Sequence, residues 1–254
     1  MLLAIDTSGA DCAACLLSAD GTLVAKISET LWRGHAERLM PMLEALLLKA
    51  HCGWNDLTHI ACTIGPGSFT GLRVGLATAR GLALATGLPK TGVGVLEAMA
   101  QPVAGPVAVA MDAKRGEVWF AAFGPSSTSD HDPSRAELFP PTALPVQDAA
   151  DRVIENGWPV TGSGVGLLQS VSNKIGLAKP DSAADVLDNG PDVEPDVEPD
   201  IEIVAHLARA RFARDATLPL SALYLRAPDA KPQATLVHAA SDVLSTPASS
   251  EGGQ

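Results

Sequence analysis

A chain of 254 residues with 46% hydrophobic residues is long enough for one large domain or two small ones with real cores. Its net charge of −11 is concentrated: Asp181 to Glu202 holds nine acidic residues and no basic one, and removing those nine leaves the remainder at −2. The absence of any Lys or Arg cluster argues against autonomous nucleic-acid binding, which depends on neutralised phosphates, and no apolar run is long enough to cross a bilayer.

The opening LLAID is apolar for four residues, meets an aspartate at once and has no basic region before it, so it reads as a first strand and not as a leader. CAACLLSADG and TLVAKISET follow, separated by the turn signals Ser8-Gly9-Ala10-Asp11 and Asp20-Gly21, which predicts a three-stranded meander. In the second strand Cys12 and Cys15 lie three residues apart, hence on opposite faces, so this CxxC is read as buried structural cysteines. With Cys52 and Cys62 they make four cysteines, too few for a disulfide framework and in keeping with a reducing, cytoplasmic setting.

From Ala36 to Ala50 the residues Leu39, Met42, Leu43, Leu46, Leu47 and Ala50 recur at helical spacing, with Met40 and Leu48 outside that stripe. Pro41 either begins the regular helix or kinks it. A fourth strand is expected over Asp56 to Ile64. It leads through Gly65-Pro66-Gly67-Ser68 into a helix whose one edge carries Gly71, Gly75, Ala79 and Ala83 at every fourth position. Each helical glycine costs roughly 1 kcal/mol against alanine, so a close contact should offset that cost. TGVGVLEAMA then supplies a fifth strand and a short helix.

PVAVAMDAKRGEVWFAAFG restarts the pattern, with Asp112 standing 106 residues after Asp6. That offset suits a duplicated domain, jointed near Pro102, Gly105 and Pro106. A loop over Gly124 to Pro145, a helix over Val146 to Glu155, PVTGSGVG, and a second helix over Ile203 to Arg214 follow. Arg209, Arg211 and Arg214 fall late in that last helix, where cations suit its C-terminal dipole. The prolines of DVEPDVEPDIE, Asp192 to Glu202, predict a solvated loop, and the chain after Arg226 reads as a disordered tail.

GPGSFTGLRVG with ARGLA, together with LLAIDTS, GHAERLMPMLEALL, MDAKRGEVWF and ALYLR, resembles the TsaB (YeaZ) family across residues 1 to 226. The resemblance implies an α/β fold of two ribonuclease H-like subdomains of the actin-like ATPase (ASKHA) superfamily: 1–101, carrying partner-binding helices, and a degenerate 102–226 with an acidic loop at 181–202, before a tail at 227–254. It also implies an accessory role in making threonylcarbamoyladenosine in tRNA, with TsaD and TsaE as partners and a homodimer when alone. ATP is then used by the complex through TsaE, and neither a cofactor nor a metal is expected in this chain. The expected partner interface is Leu39, Met42, Leu43, Leu46, Leu47, Gly71, Leu72, Gly75, Leu76, Ala79 and Ala83.

Asp6-Thr7-Ser8 stands where actin-like ATPases hold an acidic residue near a metal-bound phosphate, and the same residues also make a good turn. Gly65, Gly67 and Ser68 precede a helix and could cradle an anion, although no GK[ST] follows, and Ser68 or Thr70 as a helix cap is the plainer account. Where the catalytic paralogue TsaD carries a metal-binding His-x-x-x-His, this chain has Val95 and Met99, which cannot replace imidazole at a hard metal. Glu37 and Glu97 remain as isolated carboxylates. His35, His51, His59, His131, His206 and His238 are scattered, and no GxSxG elbow supports a hydrolase. The expectation is therefore a noncatalytic subunit; the alternative is an actin-like ATPase or carbamoyl-type transferase using Asp6 and the Gly65 loop.

Overall fold

The computed structural model describes residues 1–31, 33–126, 135–178 and 198–226. The first sheet contains β1 (Leu2–Asp6), β2 (Asp11–Leu17), β3 (Leu23–Thr30), β4 (His59–Gly65) and β5 (Lys90–Gly94) in the order β3-β2-β1-β4-β5. The meander is antiparallel, and β4 and β5 add in parallel after the crossover helices α1 (His35–Lys49) and α2 (Phe69–Thr86). Strand alternation sorts this sheet's side chains. Leu3, Ile5, Cys12, Ala14 and Leu16 face α1 and α2, while Leu2, Ala4, Ala13, Cys15 and Leu17 face the opposite side. The two cysteines of CxxC are thus buried on different faces.

Helix α1 begins at His35, six residues before Pro41, so the proline does not start it. Pro41 sits on the solvent face, where water can satisfy the carbonyl that loses its partner. After β5 the short helix α3 (Val95–Ala100) leads into a second sheet: β6 (Val107–Asp112), β7 (Glu117–Phe123), β8 (Glu137–Pro145) and β9 (Val160–Thr161), ordered β8-β7-β6-β9. An antiparallel meander with a parallel fourth strand repeats the plan of the first sheet. The fold is α/β with two ribonuclease H-like subdomains, the actin-like architecture. One face of the second sheet packs on α4 (Val146–Asn156) and α5 (Val165–Val171), the other on α3 through Val95, Leu96, Met99 and Ala100.

Three expectations need correction. The end of the loop read over Gly124 to Pro145 is strand β8; its prolines fit because β8 is an edge strand, and the register shifts where Pro140 and Pro141 would face the ladder. Helix α6 (Ile201–Ala213) starts inside the stretch read as solvated loop, with the Asp200 side chain accepting from Glu202 N at 2.9 Å as its cap. The third concerns the division at 101. Helix α6 covers the first sheet, burying Ile201, Val204, Ala205, Leu207 and Ala208 against Leu2, Ala4 and Leu17, and Leu220 enters the core beneath α1 and α2. The end of the described chain therefore completes the first subdomain. Most of the acidic stretch and the whole of 227–254 lie outside the described residues.

Candidate functional site

The end of β1 and the loop before α2 meet, and each fills the other. Asp6 is 1% exposed; its Oδ1 accepts from Thr63 Oγ1 at 2.6 Å and from Ser8 N at 2.9 Å. Burial pushes the Asp6 carboxyl above the usual range, and the Thr63 and Ser8 bonds offset only part of that shift. Thr7 Oγ1 donates to the Gly71 carbonyl at 2.8 Å, and Ser68 N donates to the Ser8 carbonyl at 2.6 Å. Gly65 adopts φ 105°, and a Cβ on Gly67 would strike the Ser8 carbonyl oxygen. Ser68 caps α2 by accepting from Gly71 N at 3.2 Å. Asp6, Thr7, Ser8, Gly65, Gly67 and Ser68 thus lie together, and the N–H groups of Ser68 and Gly71 are bonded within the protein. The helix-cap account of the Gly65 loop is the one the geometry follows.

The expected partner interface is corrected outright. Leu39, Met42, Leu43, Leu46, Leu47, Leu72, Leu76, Ala79 and Ala83 are at most 4% exposed in the chain's own core, and Gly71 and Gly75 are buried with them. A Cβ on Gly71 would collide with the Thr7 carbonyl oxygen, and one on Gly75 with Thr7 Oγ1, so the small stripe lets α2 approach β1 and not a second molecule. A helix face of small residues looks the same whether a strand or a partner lies against it, which is why spacing could not choose.

The outward faces of the same helices carry the exposed apolar residues. Met40, Leu48, Phe69 and Leu84 are 39%, 77%, 51% and 87% exposed. Between α1 and α2 runs an open groove of about 450 Å³ lined by Ala36, Phe69, Thr70, Arg73, Val74 and Ala77. The Arg73 guanidinium lies 3.6 Å from the centre of the Phe69 ring, and its Nε donates to Tyr224 Oη at 3.2 Å. The Tyr224 ring sits 5.6 Å from Phe69. Phe69, Arg73 and Tyr224 thus form one half-exposed cluster on the surface.

Among the described residues no three His, Cys, Asp or Glu side chains could hold a metal. Val95 and Met99, in the histidine positions, are buried in α3. Glu97 is not isolated: it pairs with Arg211 of α6 at 2.5 Å, while Arg211 also donates to the Gly92 carbonyl at 2.6 Å. Arg211 therefore ties α6 to β5 and α3 in addition to standing near its helix end. His59 packs its ring 4.4 Å from that of Phe212, and His206 lies 3.8 Å from Glu202. His131 and His238 fall outside the described residues. Sequence reasoning missed Glu198, which reaches back 188 residues to the turn after β1; its place in a repeated DVEP unit gave no sign of a partner.

The family model for TsaD, tRNA N6-adenosine threonylcarbamoyltransferase, matches residues 27–134. The tRNA threonylcarbamoyladenosine biosynthesis protein TsaB of Escherichia coli is 40% identical over 127 residues, 48% of this chain and 54% of that protein. An uncharacterised Mycobacterium tuberculosis protein is 33% identical over 204 residues, 80% of each chain. The solved structure of YeaZ from Pseudomonas aeruginosa superposes with a TM-score of 0.69 at 26% identity, covering 88% of this chain and 99% of that one. The chain belongs to the TsaB (YeaZ) family. It spans about half the length of the curated TsaB proteins it matches in sequence, 54% and 52%. The region like the TsaD family model runs from β3 through α1, α2 and α3 into the second sheet, so it includes both helices that flank the exposed groove. No helix among the described residues is long and apolar enough to cross a membrane.

Proposed function

We propose that this chain is an accessory subunit in tRNA threonylcarbamoyladenosine biosynthesis that binds TsaD and favours its active state, with TsaE as the ATPase of the complex. The observation that carries the reading is the groove between α1 and α2, with its exposed Phe69, Arg73 and Tyr224 anchor. Phe, Tyr and Arg are among the side chains that most often anchor protein interfaces. Alone, the chain pairs through the same face as a two-fold homodimer, because a face sticky toward TsaD is available to a second copy. Activation requires the chain to bind the active state of TsaD better than the idle one.

The buried fit of Asp6, Thr7 and Ser8 against the Gly65 loop supports a structural use of the inherited phosphate region over catalysis by this chain. The test is tRNA threonylcarbamoylation with purified TsaD, TsaE, ATP and the threonylcarbamoyl adenylate, with and without this protein. Product formed only on its addition, with no turnover by the chain alone, supports the reading. Equal product without it, or metal-dependent turnover by it alone, overturns the reading in favour of an ATPase or carbamoyl-type transferase.

A further inference from the structure

After α6 the chain runs back across the first subdomain as an irregular strap, fastened at each step. Leu218 bonds to β5 twice: its N donates to Thr91 Oγ1 at 3.0 Å, and its carbonyl accepts from Gly92 N at 2.9 Å. Arg80 of α2 donates from Nε to the Leu220 carbonyl at 2.7 Å, and its Nη2 donates to the same oxygen. The Leu220 side chain is 4% exposed, in the core. Leu223 N then donates to the Ile64 carbonyl at 2.7 Å, near the end of β4.

The last fixing is on the other subdomain. Arg226 donates from Nη1 to the Ala113 carbonyl at 3.3 Å and pairs through Nη2 with Glu117, the first residue of β7. Tyr224 therefore stands between two fixings, one residue after the bond to Ile64 and two residues before the pair with Glu117. The three residues from Leu223 to Arg226 span at most about 11 Å. So short a span passes a displacement at Arg226 on to Tyr224.

Tyr224 is not held by burial. It is 49% exposed, and its ring meets Phe69 and Arg73 at the surface, so the backbone of the strap decides where that ring stands. Phe69 and Arg73 also line the groove between α1 and α2. The strap thus joins the rim of that groove to the β6–β7 turn of the second subdomain.

We propose that the Arg226–Glu117 pair is a positioning contact for this surface: it holds Tyr224 against Phe69 and Arg73, so that the second subdomain sets the shape of the groove's rim and its readiness for TsaD. The consequence for TsaD rests on the function proposed above; the setting of Tyr224 does not.

The test uses the full-length protein labelled with 3-fluorotyrosine. Tyr224 is the chain's one tyrosine, so a single fluorine resonance reports its ring. Phe69→Ala marks the direction of shift that follows loss of the ring contact. Glu117→Gln and Arg226→Gln should each move the resonance in that direction, and the double variant should move it no further, because both remove the same pair. The two side chains are 36% and 29% exposed, so added salt should move the wild-type resonance the same way and leave the variants in place. Affinity for TsaD in sedimentation should fall about two- to fivefold in each variant, the reach of a partly exposed ion pair. A resonance unmoved in both folded variants overturns the proposal, and a displaced ring with unchanged TsaD affinity overturns its role in docking. Should Glu117→Gln fail to fold, Arg226→Gln leaves β7 intact and decides alone. A wild type that does not bind TsaD overturns the function proposed above, while the resonance still decides whether the pair sets Tyr224.

Discussion

Thr7 and Gly71 meet backbone to backbone: the Thr7 hydroxyl donates to the Gly71 carbonyl at 2.8 Å, while the Thr7 carbonyl lies where a Gly71 side chain would begin. This contact locks the start of α2 to the end of β1. It offsets the helix propensity that glycine forfeits at that position.

The glycines of α2 should therefore separate sharply. Gly71→Ala forces backbone against backbone and should destabilise the protein by about 1–3 kcal/mol or more. Gly81 has open space where its Cβ would stand, so Gly81→Ala should stabilise by up to about 1 kcal/mol through helix propensity. Urea denaturation midpoints of the two variants, measured against wild type, would show the opposite signs.

Asp6 gives a pH signature. Its folded pKa lies above the unfolded value because burial disfavours the carboxylate. The contribution of this group to stability is then fully present below the unfolded pKa and is lost as pH rises through the folded one. Asp6→Asn keeps an oxygen for Thr63 and Ser8 without the charge. Relative to wild type it should gain stability at pH 7.5, with the difference shrinking toward pH 4; a constant difference across that range would contradict the assignment.

Glu97 and Arg211 are only 18% and 12% exposed at their side chains, so breaking one partner leaves a largely buried charge. Arg211→Ala should cost about 3–5 kcal/mol, whereas Glu97→Gln with Arg211→Met should recover much of that loss. A double-mutant cycle by chemical denaturation measures the coupling.

The thiols should react unequally. Burial pushes Cys12 up to about 11 and Cys15 up to about 12, and it pushes the fully buried Cys62 up as well. Cys52 is the one cysteine that is not fully buried. Native protein at pH 8 should expose one thiol to a disulfide reagent rapidly and four after unfolding, and Cys52→Ser should remove the fast phase.

Phe69→Ala and Arg73→Ala should leave the melting temperature within about 2 °C of wild type, as exposed positions usually do. Both should weaken association with TsaD and with a second copy in sedimentation experiments. Gly75→Leu, by contrast, should abolish assembly because it breaks this chain's own fold through Thr7 and Cys62.

Much of this architecture was legible in the residues. The alternation of LLAID and CAACLL, the turn signals between them, and the Asp6 to Asp112 echo lead directly to two meanders of like plan. The α2 stripe was legible as a close contact, but not its partner, since glycine spacing records proximity without naming the neighbour. Strand β8 was hidden by prolines that an edge strand tolerates. The paths of Glu198, Arg211 and α6 were hidden for a different reason: each joins residues more than 100 positions apart, and local pattern carries no information about such pairings.

Helix α6 also sets an order of events during synthesis. Leu2, Ala4, Ala13, Cys15 and Leu17 form an apolar face that stays uncovered until residues 201–213 have left the ribosome. Among the described residues, the first sheet is made well before the helix that covers it. The second subdomain, whose core is drawn from residues 95–178, can close beforehand. Nascent chains halted between the two subdomains should carry an exposed hydrophobic sheet face, the kind of surface that chaperones engage.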